Sequence, residues 1–247
     1  MNKTQTLDKK IVEINSDVLY CGDCGLLYKF LERYHDTMHK IKNADEIRIE
    51  WKPADKEILS YFGMAFMANK RILLTNREKA QPTPIKSYTN VILSIDEICR
   101  KGESLPAVDW QGKGEENTIY VICPVRKLRE LHPEEEQKIR RYVAEKMAAG
   151  NKVNFPDPDA EYQKDPNGLN ICLRHRGEVA EASEAHCHWY PGSEGSVFDL
   201  ATALMAGRPI KLINRNDVAR MPRENFTELL VLNDAKYSID SAEDILN

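Results

Sequence analysis

Residues 44–77 read "ADEIRIEWKPADKEILSYFGMAFMANKRILLTNR", and residues 182–215 read "ASEAHCHWYPGSEGSVFDLATALMAGRPIKLINR". Laid over one another without a gap, the two stretches pair Trp51 with Trp189, Pro53 with Pro191, and Asn76-Arg77 with Asn214-Arg215, at a constant offset of 138 residues. The register continues: Pro84 meets Pro222, "YTNVIL" (88–93) meets "FTELLV" (226–231), and Asp96 meets Asp234. That offset is far longer than a solenoid unit, so the pattern reads as a tandem duplication of a domain or of most of one.

Each copy reads strand, turn, helix, strand. In the second, "AHCHWY" (185–190) is a short β-like run, and "SVFDLATALMA" (196–206) places Val197, Leu200, Ala201 and Leu204 on one helical face. "PIKLIN" (209–214) is a strand after the stop signal at Gly207. Upstream, "TIYVICPV" (118–125) is a near-continuous apolar strand, "PEEEQKIRRYVAEKMAAG" (133–150) starts acidic and ends in Gly like a helix, and "KVNF" (152–155) is a strand. Strands alternating with helices imply a parallel sheet covered on both faces. The expected fold is therefore α/β, a tandem pair of small Rossmann- or flavodoxin-like parallel-sheet domains. The first copy (1–100) offers "DVLYCGD" (17–23) as a strand and "GLLYKFLERYHDTMHKI" (25–41) as a helix, but no counterpart of the 133–155 helix and strand, so it reads as degenerate. The Gly- and charge-rich stretch 101–116 is the expected linker, and 117–247 the second domain.

Composition excludes several classes. With 42% hydrophobic residues among 247, a core can form, and 35 Lys+Arg against 39 Asp+Glu leave a net charge of -4, which gives no general reason to bind nucleic acid or an anionic membrane. The polar opening "MNKTQTLDKK" is unlike a signal peptide, and no apolar run reaches the roughly 18–20 residues of a membrane span, so a cytoplasmic location is expected. The six cysteines are too scattered for a disulfide framework. Cys21 and Cys24 form a CxxC between a strand and a helix, the order of a thioredoxin-like redox site, but no such domain follows, and the pair alone does not complete a zinc site. His186, Cys187 and His188 alternate along a strand, so Cys187 points away from the two histidines. No metal or redox cofactor is expected.

In open parallel sheets, ligands bind beyond the carboxyl ends of the strands. Three turns of the second copy meet there: "YVICPVR", "PDPDAEYQKDPNG" and "YPGSEGS". On these residues the stretch from about Thr118 to Val231 resembles the nucleoside 2-deoxyribosyltransferase superfamily, and most closely its 2'-deoxynucleoside 5'-phosphate N-hydrolases, which cleave the bond between a base and its deoxyribose. The resemblance implies a first-strand Tyr followed six residues later by a phosphate-binding Arg, here Tyr120 and Arg126. It also implies a motif S-x-G-x-x-x-E-[LI]-[GA], here "SEGSVFDLA" (193–201), with Ser193 binding phosphate and Asp199 in the place of the catalytic Glu. An Arg-Asp pair of the family appears as Arg174-His175, which would face the departing base. Transferases of the family tend to carry Asp where Ser193 stands, so Ser193 with Arg126 points to a nucleotide 5'-phosphate and to hydrolysis rather than transfer.

Under this reading Asp199, Tyr120 and His175 are catalytic, and Arg126, Arg174, Ser193, Gly195 and Ser196 bind substrate, with phosphate on the Gly195 and Ser196 N–H groups at a helix N-terminus. The carboxylate would attack or stabilise an oxocarbenium-like C1'. Two departures stand against it: Asp is one methylene shorter than Glu, and His175 replaces an Asp. A catalytically inactive nucleotide-binding or regulatory protein of the same fold is therefore the alternative. Each residue also has a plainer role. Ser196 and Asp199 have capping-box spacing, Ser193 and Gly195 are turn formers, Tyr120 fits a buried strand, Arg126 a solvated loop, and "LRHRGEVAEAS" (173–183) an exposed helix face. The first copy has Tyr61 and Asp55 at the positions of Asp199 and Ser193, so no catalysis is expected from it. Since family members dimerise, the first copy would act as a built-in partner, forming an internal pseudo-dimer able to assemble into homo-oligomers.

Overall fold

In a computed structural model of the chain, the described residues are 10–14, 36–190 and 192–214, Arg126 by its backbone only. The expected strand 17–23, its Cys21 and Cys24, and the segment 226–231 lie outside them. The architecture is α/β, with two sheets whose strands are all parallel. The first sheet has the order β1-β2-β3, from β1 (Ile11–Ile14), β2 (Glu46–Ile49) and β3 (Arg71–Leu74). The second has the order β5-β4-β6-β7, from β4 (Glu115–Ile122), β5 (Lys152–Asn154), β6 (Ala182–Cys187) and β7 (Ile210–Leu212). Helical residues 36–43 (α1) and α2 (Lys56–Met67) connect the first set, and α3 (Tyr88–Arg100) follows β3. In the second set α4 (Val125–Leu131) and α5 (Pro133–Ala148) join β4 to β5, α6 (Leu169–Glu181) joins β5 to β6, and α7 (Glu194–Met205) joins β6 to β7.

The offset of 138 reappears in three dimensions. Helices α2 and α7 have the same bounds at that offset, and their N-caps Asp55 and Ser193 occupy equivalent positions. Asn76 grips the backbone of Trp51, accepting from its N–H at 2.9 Å and donating to its C=O at 2.8 Å, and Asn214 grips Trp189 with the same two distances. Lys70 donates to the Lys42 carbonyl at the end of α1, and Arg208 donates to the Ala180 carbonyl near the end of α6. A last-turn carbonyl has no partner within its own helix, so a cation there satisfies it and complements the helix dipole.

Differences from the sequence reading are local. Strand β1 at 11–14 was not expected, because four residues beside a charged opening carry almost no periodicity. Strand β4 ends at Ile122 and the chain turns into α4 where strand was expected to continue to residue 125. Pro124, which lacks an N–H, sits at that boundary. Among the described residues the first sheet has no counterpart of β5.

The two sheets meet through their helices. Helix α2 is buried from Ile58 to Met67 and α7 from Ser196 to Met205, on all sides rather than along one stripe, because each packs between its own sheet and the other helix. Phe62 and Phe66 pack against Phe198 at ring centroid distances of 5.4 and 5.7 Å. Gly63 lies against Ala201, its own counterpart in the repeat, and a Cβ placed on Gly63 would fall 2.9 Å from the Phe198 carbonyl oxygen. The stretch 101–114 has no regular structure but is fastened. Asn69 exchanges two hydrogen bonds with the Val108 backbone, Arg176 donates to the Pro106 carbonyl, and Arg208 donates to the Gly112 carbonyl.

Gly63→Ala is expected to push α2 and α7 apart and to destabilise the protein by about 1–3 kcal/mol. Urea unfolding monitored by tryptophan fluorescence checks this, and an unchanged midpoint would show that the helices are not in close contact.

Candidate active site

Sheet order changes direction between β4 and β6: the chain leaves β4 towards β5 on one side and returns to β6 and β7 on the other. Such a switch point opens a crevice at the carboxyl ends of the strands. One face of this sheet, with Ile119 and Val121, is covered by Leu128 of α4 and Ile139 of α5. Tyr120, Ile122 and Cys187 point to the opposite face, which α6 and α7 cover. At this point the fold brings together Tyr120 from β4, His175 from α6 and Asp199 from α7.

These three side chains are in contact. The Tyr120 hydroxyl donates to Asp199 Oδ2 at 2.9 Å, and His175 Nδ1 lies 3.4 Å from the same oxygen. The Tyr120 and His175 rings meet edge-on at 5.9 Å. The shorter side chain of Asp199 thus reaches a strand residue at full hydrogen-bonding distance. Asp199 does not cap its helix. The cap is Ser193, whose hydroxyl accepts from the Ser196 N–H at 3.2 Å and from the Ser196 hydroxyl at 2.9 Å. Asp199 lies further along, with its carboxylate turned to the sheet, and is 6% exposed.

Electrostatics follow from burial. Tyr120 is buried, and burial, together with the charges of Asp199 and Glu178 and its bond to Asp199, raises its pKa well above 10.0, so it remains a donor. Burial alone would lower the pKa of His175, but the charge of Asp199, the bond to it and the charge of Glu178 outweigh burial, and the pKa rises above 6.5. Cys172 and Cys187 are buried near Asp199, and burial followed by that charge holds both thiols far above the ordinary range. They are unreactive thiols rather than nucleophiles.

The remaining residues of the expected site are placed as follows. Arg126 is in the first turn of α4, and its side chain lies outside the described residues. Arg174 stacks at 4.1 Å over the Tyr162 ring and donates to Glu178 Oε1 at 2.7 Å. Ser193, Gly195 and Ser196 form the start of α7, but the Ser196 N–H is taken by Ser193, which leaves Ser193 its own proton to offer a ligand. The segment 173–183 is not an exposed face: Arg176 is 1% exposed, and the His175 side chain 12%. Arg176 is drawn inward by the Phe66 and Pro106 carbonyls and by the Phe66 ring beneath its guanidinium, and burial lowers its pKa to about 10. On the other face of β6, His186 bonds Tyr142 and Glu184, away from Cys187.

Three neighbours of the site were not legible in the sequence. Lys127 donates to the Gly192 carbonyl at 2.8 Å and so holds the turn that leads into α7. Tyr88, from the first half, packs on Phe198 at 4.9 Å, and a Cβ on Gly195 would lie 3.8 Å from its hydroxyl. Lys86 donates to the Gln163 carbonyl in the loop between β5 and α6. The first half's own equivalent positions hold Tyr61, bonded to Glu57, and Asp55, which caps α2. Comparison of the chain with protein-family models, with curated proteins and with solved structures finds no match.

NMR titration of the imidazole resonances should give His175 a pKa above 6.5. In Asp199→Asn the largest raising influence is lost while burial remains, so the pKa should fall. An unmoved value would separate His175 from Asp199.

Proposed function

We propose that the chain hydrolyses the N-glycosidic bond of a nucleoside 5'-monophosphate, with Asp199 as the group at C1'. One observation carries this reading: Tyr120 and His175 both approach Oδ2 of Asp199, fixing the carboxylate while no described protein hydrogen bond takes Oδ1. A carboxylate held by one oxygen and free at the other suits nucleophilic attack or stabilisation of a cationic sugar. Oδ1 would bond to C1' as the C1'–N bond breaks and its electron pair leaves with the base. His175, whose pKa the neighbouring Asp199 raises, would supply a proton to that base. Water would then cleave the C1'–Oδ1 ester, returning a proton to His175 and releasing the sugar phosphate.

The phosphate would lie at the start of α7, against the Ser193 hydroxyl proton and the free N–H groups of the first turn, with Arg126 supplying charge. The arrangement supports reading the repeat as a tandem duplication in which the first half serves the second. Tyr88 and Lys86 reach the edges of the crevice from across the α2–α7 contact, as a partner subunit would. A second reading, nucleotide binding without turnover, is favoured by the near-complete enclosure of Asp199, which a substrate must open.

Incubation with ribo- and deoxynucleoside monophosphates and NAD, followed by chromatography for free base, tests the proposal. Base release is expected from at least one monophosphate, with a loss of at least about 100-fold in Asp199→Asn. Saturable binding with no base released would establish the second reading. Activity should decline as pH rises through the pKa of His175, because the proton donor is lost above it, and this alkaline limb should disappear in His175→Asn. A profile flat from pH 6 to 9 would remove His175 from the proton transfer.

A further inference from the structure

Beside the carboxylate, three buried polar atoms have no hydrogen-bond partner: His175 Nε2, Glu178 Oε2 and Asn154 Nδ2. Unpaired buried polar atoms weaken a fold, and their clustering at one place points to a ligand that would satisfy them. Their placement is defined by the secondary structure. Asn154 is the registered partner of Tyr120 across β4 and β5, and registered residues of parallel strands share a face, so Asn154 points to the α6 side as Tyr120 does. Glu178 follows His175 by three residues, one turn along the same side of α6, and its charge acts on both His175 and Tyr120. Its other oxygen, Oε1, is held by Arg174 at 2.7 Å, which fixes the direction of the free one.

We infer that Asn154 and Glu178 recognise the base of the nucleotide. The inference rests on the glycosidase reading and extends it to substrate class. Asn154 Nδ2 can only donate and ionised Glu178 only accept. The complementary ligand therefore presents a hydrogen-bond acceptor beside an N–H donor, as the lactam edge of guanine or thymine and the amidine edge of adenine or cytosine do. In the glycosidase reading the sugar phosphate occupies the positions of C1' and the phosphate and leaves this pair to the base. His175, which touches Asp199 and precedes Glu178 by one turn of α6, would meet the base at the atom that receives the proton. A base lacking the donor leaves the Glu178 oxygen unpaired, which is the strongest form of discrimination a polar pocket provides.

Calorimetry with dGMP, dAMP, dCMP, dTMP and deoxyribose 5-phosphate, on the full chain and on Asn154→Leu and Glu178→Met, tests the inference. Both variants should bind their best nucleotide about tenfold or more weakly, with deoxyribose 5-phosphate unchanged. The thermal midpoint of Asn154→Leu should hold or rise, because that change removes a buried polar atom that the folded protein leaves unpaired. Equal nucleotide affinity in the variants, or a lowered midpoint with both ligands weakened, would overturn the assignment and make the residues structural. If the unmodified protein binds neither nucleotide nor sugar phosphate, the glycosidase reading fails by itself. Titration with free guanine, adenine, cytosine and thymine then decides the inference: binding lost in Glu178→Met keeps the base pocket, and no binding removes it.

Discussion

The approach of α2 to α7 at Gly63 governs the rest of the molecule. Helices that close bring backbone near backbone, and only a residue without a Cβ permits the Phe198 carbonyl to sit where it does. That contact joins two small sheets into a body with a continuous apolar interior running from Ile47 and Ile72 through the phenylalanine cluster to Tyr120 and Cys187. It also sets the position of α7, and with it the depth at which Asp199 meets the strand beside it.

Elements with strong periodicity were legible in the sequence. The apolar run of β4, the acidic start and Gly end of α5, and the apolar pattern of α7 state their own conformations. The sequence pattern at the offset of 138 has a geometric counterpart in the shared bounds of α2 and α7 and in the Trp–Asn clamp. Strand β1 was not legible, since its pairing with β2 rather than its composition makes it a strand. The interior position of Arg176 was equally hidden: a guanidinium is buried only when carbonyls await it, and those belong to Phe66 and Pro106, distant in sequence.

The site divides in the same way. Tyr120, His175 and Asp199 were singled out by the family resemblance rather than by local pattern, and the structure brings their side chains together at one carboxylate oxygen. The capping alternative for Asp199 failed for a reason spacing cannot supply, because Ser193 and Ser196 both offer a hydroxyl and only one begins the helix. Asn154, Tyr88 and Lys127 were invisible because their relevance is set by strand register and by the docking of the two halves, neither of which any local pattern encodes. The raised pKa of His175 has the same origin: the charges of Asp199 and Glu178, from different elements, outweigh its burial.

The fastening of residues 101–114 has a consequence for assembly. A strap bound to both halves by Asn69, Arg176 and Arg208 makes their meeting an intramolecular event, governed by effective concentration rather than by the amount of protein present. Dilution cannot part such a pair, and the two faces of the junction are free to differ, as Gly63 against Ala201 does.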